Sequence, residues 1–162
     1  MDIETAVDLG FDPDTCAGPV SYEDIAYTER SYEFHFDPLY LRLLERCNGG
    51  VPNKRFFPVP GNVKVIERFL CVIDDVRGDE RHGRSDMGVV TTQVEGRMSD
   101  TMVPFAFLFA GDLLCFDAEQ SDPPRVVVWD HERSGEGSPV TLPVADDFAA
   151  FLSLLYADDR DG

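Results

Sequence analysis

Apolar residues recur along this chain with two different spacings, and each change of spacing marks an element. Leu39, Leu43 and Leu44, with Tyr40 and Cys47 beside them, repeat at helical intervals. Asp37 stands ahead of them as an N-cap and Pro38 occupies the first helical position, where a missing N–H costs nothing. Asn48-Gly49-Gly50 follows, residues that tolerate the left-handed conformation of a helix end, so the spacing predicts a helix over 37–47. Ser21-Tyr22-Glu23-Asp24 resembles a capping box and predicts a helix of about two turns to Arg30. Ahead of it, Gly10, Pro13, Gly18 and Pro19 leave room for a short helical turn at most.

Beyond residue 50 the spacing is that of strands. Residues 56–59 and 65–73 are β-like, and the second is a nearly continuous apolar run, the pattern of a strand buried on both faces. A charged loop covers 74–86, after which Ser85 or Asp86 caps a modest helix to Arg97, against the β-branched run Val89-Val90-Thr91-Thr92. Residues 103–109 and 113–117 read as a hairpin about the turn Ala110-Gly111-Asp112. A strand over 126–129 comes next, then an edge strand over 140–144, because Pro143 cannot donate to a ladder. Asp146 caps a closing helix with Phe148, Phe151, Leu152 and Leu155 on one face. The expected fold is α+β, a mostly antiparallel sheet of about six strands flanked by helices. It forms one domain over 1–162, with an acidic N-terminal extension over 1–33, a core over about 34–156 and a frayed tail over 157–162.

Length and charge narrow the function. A domain of 162 residues buries roughly 70% of the surface its unfolded chain exposes, so a core forms without covalent staples. Cys16, Cys47, Cys71 and Cys115 are too widely spaced for a CxxC zinc pair and read as reduced, buried thiols. No apolar run is long enough to span a membrane and Met1-Asp2-Ile3-Glu4 lacks a basic start, which implies a cytoplasmic protein. The net charge of −17 is uneven: residues 1–33 carry −8, 34–70 carry +3, 71–100 carry −3 and 101–162 carry −9. Such a field repels phosphate backbones and anionic membranes and speeds encounter with a basic protein. Solubility or adaptation to high salt explains it equally, given two lysines against twenty aspartates.

Catalytic signatures are missing. No GxSxG surrounds a serine, and Gly49-Gly50 follows a helix, whereas phosphate loops follow a strand. Asp130-His131-Glu132 holds three metal-ligand types, but consecutive residues of an extended chain point to alternate faces. Asp74-Asp75 and Asp146-Asp147 are the paired carboxylates that adjacent acids produce by chance in a chain with 31 of them. Trp129 ends an apolar strand and reads as core with its N–H satisfied.

The helix stop at Asn48-Gly49-Gly50, the hairpin from Val103 to Asp117, the strand Val126-Val127-Val128-Trp129-Asp130-His131-Glu132 and the closing Phe148-Ala149-Ala150-Phe151-Leu152 helix occur in an order that resembles the SUKH superfamily, which includes the yeast Smi/Knr cell-wall regulators. The resemblance implies a non-catalytic protein without cofactors that binds another protein. Bacterial members are typically immunity proteins against toxins encoded beside them, often nucleases or deaminases, and the yeast relatives are regulatory or scaffold-like binders. The partner surface is expected outside 34–70, on Asp74, Asp75, Asp79 and Glu80 of the charged loop and on Asp112, Asp130 and Glu132 at strand ends. A regulatory interaction module and a metal-dependent hydrolase are the alternatives.

Overall fold

A computed structural model describes residues 2–73, 79–119 and 121–158. Helices α1 (Ile3–Ala6), α2 (Tyr22–Tyr32) and α3 (Pro38–Arg46) precede strands β1 (Phe56–Val59) and β2 (Asn62–Phe69). Helix α4 (Met87–Gln93) leads to β3 (Met102–Leu108), β4 (Leu113–Asp117), β5 (Arg125–Trp129) and β6 (Thr141–Ala145), and α5 (Phe148–Leu154) closes the fold. The six strands form one sheet in sequence order, every neighbouring pair antiparallel. The edge strands β1 and β6 carry Pro58 and Pro143, and Pro104 of the interior strand β3 stands where the register with β4 shifts. A residue without an N–H fits these places, because no ladder bond is lost there.

Side chains alternate across the sheet and build two covers. Phe116 of β4 stacks on Phe105 of β3 with ring centroids 4.4 Å apart, and Tyr40 of α3 and Phe148 of α5 pack on Phe116 at 5.1 and 5.5 Å. The neighbouring Cys115 points the other way, with its Sγ 4.0 Å from Sδ of Met98. On that face the Trp129 indole N–H donates to the Arg97 carbonyl at 3.0 Å, and the Arg97 guanidinium lies 5.2 Å from the ring centroid. Trp129 is therefore core with its donor satisfied, as its sequence context predicts.

Local signals account for most helix ends. The Asp37 carboxylate accepts from Leu39 N–H ahead of Pro38, and the Ser21 hydroxyl accepts from Asp24 N–H. Helix α2 runs slightly further than expected and stops at Glu33, a non-glycine residue with φ 52°. Other boundaries shift. Helix α4 ends at Gln93 rather than Arg97, and Gly96 follows with φ 83°. The cap of α5 is Asp147, which accepts from Ala150 N–H, and not Asp146. Strand β2 starts at Asn62, and its first half faces solvent because only β1 lies beside it there; Val63 is 45% exposed. The expectation of a strand buried on both faces holds only toward Phe69, and Leu70, Cys71 and Val72 stay buried after leaving the ladder.

The reading of four reduced thiols is corrected at two positions: Cys16 and Cys47 form a disulfide, with Cα atoms 5.2 Å apart, while Cys71 and Cys115 are free and buried. Hydrogen bonds of backbone and side chains bring the pair together. Ala17 N–H donates to the Asn48 carbonyl, the Asn48 amide donates to the Gly18 and Val72 carbonyls, and Val51 N–H donates to the Thr15 hydroxyl. Burial pushes the Cys71 thiol up to about 12, with Asp86 adding to the effect, and burial raises Cys115 as well. The N-terminal segment also contributes Val7 and Leu9 to the core. Among the described residues no helix is long and apolar enough to cross a membrane.

Candidate interaction surface

The acids singled out from the sequence fall into separate places. Asp74 and Asp75 lie outside the described residues. Asp79 caps the turn that follows it, its Oδ1 accepting from the N–H groups of Arg81 and His82 at 3.1 and 2.7 Å, and Glu80 beside it is exposed. The structure brings Asp112, Asp130 and Glu132 together around His131. Asp112 is 7% exposed, with Oδ1 accepting from His131 N–H at 3.0 Å and lying 2.7 Å from His131 Nδ1. Lys64 Nζ donates to its Oδ2 at 3.3 Å. Burial pushes the Asp112 carboxyl up, but the hydrogen bonds from His131 and Lys64 outweigh it and hold the group below the usual carboxylate value. Asp112 thus ties the β3–β4 turn to the end of β5 and to β2. Asp130 accepts from the N–H groups of Glu132 and Arg133, which leaves Glu132 exposed at the tip.

No group of three or more His, Cys, Asp and Glu side chains able to hold a metal ion occurs among the described residues. The Asp130-His131-Glu132 run is held by the turn and by Asp112 instead.

A second acidic feature is not legible in the sequence. Helix α2 buries none of its residues, and a groove runs between it and the α4 region. Tyr32 crosses the groove floor, its hydroxyl 2.6 Å from that of Thr91 and donating to the Met87 carbonyl at 3.3 Å. Burial raises the Tyr32 pKa, so the hydroxyl stays neutral at its post. On either side lie chambers of about 390 and 580 Å³. Glu33, Glu95 and Asp100 line the first, and no described lysine, arginine or histidine lines either. The Glu136 carboxylate lies against Gly96 at the rim. These acids come from the end of α2, the loop after α4, the turn before β3 and the loop between β5 and β6, so no window of sequence contains them together.

Comparison with known families then identifies the chain. The family model SUKH_6, described as SMI1-KNR4 cell-wall, matches residues 22–152. The chain belongs to the SUKH superfamily. The SUKH match starts at the first residue of α2 and ends within α5, so it takes in both walls of the groove and all six strands. It also takes in α2, which the charge pattern alone places in the acidic extension. No curated protein matches the chain.

Proposed function

We propose that this SUKH protein is a non-catalytic immunity protein that neutralises a cognate toxin domain, a nuclease or deaminase, by binding to it. The family match over 22–152 carries the reading, because bacterial proteins that resemble this family are typically immunity proteins. The charge of −17 supports it: a nuclease holds phosphates in a basic cleft, and an acidic protein meets such a cleft quickly and in a salt-dependent way. Of the predicted acids among the described residues, Glu80 and Glu132 are exposed, Asp79 and Asp130 half-buried and Asp112 buried, so the first four are available to a partner. The family description also names cell-wall proteins, which favours a regulatory binding module as the second reading.

Co-expression with the product of the adjacent gene tests the proposal. Rescue of growth and recovery of a complex are expected. Neither rescue nor complex would remove the immunity reading, and binding without protection would favour the regulatory one.

A further inference from the structure

We propose that the groove between α2 and α4 receives a basic segment of the protein partner, one that presents arginine or lysine side chains into the chamber walled by Glu33, Glu95 and Asp100. The inference rests on the protein-binding reading above and names the surface and the chemistry that it takes.

The face of α2 that lines the groove is unpartnered. Asp24, Tyr27, Thr28 and Ser31 follow one another at i, i+3, i+4 and i+7, the spacing of one helix face, and all four line the second chamber. That face is polar, so it is not a core stripe left uncovered. Tyr27 is 67% exposed on it, and an exposed tyrosine ring beside carboxylates suits a guanidinium or ammonium group through its π face.

Charge defines the occupant. Several carboxylates outside the groove are engaged: Glu4 with Arg42 and Arg46, Asp8 with Arg46, Asp117 with Arg125 and Asp112 with Lys64. Others, such as Glu23, Glu132 and Asp146, are exposed without an ion pair among the described residues but line neither chamber. Glu33, Glu95 and Asp100 line one chamber, and none of them makes a side-chain hydrogen bond or an ion pair among the described residues. Like charges gathered in a concavity repel one another, and the concavity focuses their field. A cation entering the groove relieves that repulsion. An anion or a nucleic acid would add to it.

Glu33 points to the same surface. It ends α2 with φ 52° and ψ 49°, a position that glycine or asparagine fills at lower cost, and its negative charge opposes the negative end of the helix dipole. Neither local conformation nor helix electrostatics favours glutamate there.

The test uses a charge-matched pair of variants and a defined probe, the peptide Arg-Gly-Arg-Gly-Arg. One variant combines Glu33→Gln, Glu95→Gln and Asp100→Asn. The other combines Glu45→Gln, Glu67→Gln and Asp146→Asn, positions that line neither chamber. Amide shifts of the intact protein report where the peptide sits, and titration gives its affinity. The expected result is perturbation centred on Ser31, Thr91, Thr92 and Ser99, with affinity reduced about tenfold in the groove variant and held in the other. The groove variant should also unfold at the same temperature or higher, since it removes repulsion and no contact. Equal losses in both variants, shifts centred elsewhere or an absence of binding would overturn the proposal. Co-expression separates the two readings. Full rescue by the groove variant would overturn the groove and keep immunity, whereas failed rescue by the natural sequence with the peptide seated in the groove would do the reverse.

Discussion

Replacing Gly49 by alanine measures how tightly the end of α3 is held against the segment that follows β2. Gly49 has φ 70°, and a Cβ there would stand 2.5 Å from Cβ of Cys71 and 2.6 Å from its backbone nitrogen. Two costs combine. The left-handed conformation costs an L-residue roughly 1–2 kcal/mol, and forcing a methyl group into packed backbone adds roughly 1–3 kcal/mol, so Gly49→Ala should lose about 2–5 kcal/mol. Gly61, in the β1–β2 turn, separates the two terms. Its φ is 73° and nothing lies within 4 Å of the place an added methyl group would take, so Gly61→Ala should lose only the first, roughly 1–2 kcal/mol. Urea unfolding followed by the fluorescence of Trp129, the single tryptophan and 1% exposed, gives both values. Thermal midpoints should move by about 2–4 °C for each kcal/mol in a domain of this size. Equal losses in the two variants would refute the close approach of Gly49 to Cys71.

Three further outcomes follow from the structure. Without reductant the native protein should show no thiol to a thiol-reactive disulfide reagent at about pH 8 and two after denaturation, Cys71 and Cys115, while reduction should expose four and cost roughly 3–4 kcal/mol for a 31-residue separation; four thiols without reductant would contradict the disulfide. Asp147→Ala should lose about 1 kcal/mol as the cap of α5, and Asp146→Ala much less, read from the same urea transitions; the reverse order would restore Asp146 as the cap. The Asp112 carboxyl titrates lower in the fold than in the unfolded chain, so its ionised form stabilises the protein above the ordinary value of 3.8, and that contribution disappears as pH falls through its folded value. The advantage of the natural protein over Asp112→Asn should therefore be present at about pH 5 and shrink below 3.8; an advantage unchanged at lower pH would rule out the linkage.

What the sequence makes legible follows the range of each signal. Helix α3 is readable because its cap, its proline, its apolar face and its stop all lie within about a dozen residues. The hairpin of β3 and β4 is readable for the same reason, with a short apolar run on each side of the turn at Gly111. Asp146 and Asp147 are equally able caps on paper, and only the place where β6 ends chooses between them. Cys16 and Cys47 give no pairing signal, since the contacts that align them run through Ala17, Asn48 and Thr15 from distant segments. Asp112 reads as an exposed strand-end acid until Lys64 and His131, 48 and 19 residues away, turn it inward. The groove acids lie furthest from view, because Glu33 and Asp100 become neighbours only when α2 lies down beside α4.

The prolines of the edge strands have a consequence for how this protein meets others. A sheet edge is a template, a row of N–H and C=O groups on which another chain can add a strand. Here Pro58 interrupts that row on β1 and Pro143 on β6, while Tyr156 already exchanges backbone hydrogen bonds with Phe56 on the outer side of β1. Neither a partner peptide nor a second copy finds an unbroken edge to extend, so runaway growth of the sheet is blocked at both ends, and recognition is left to side chains.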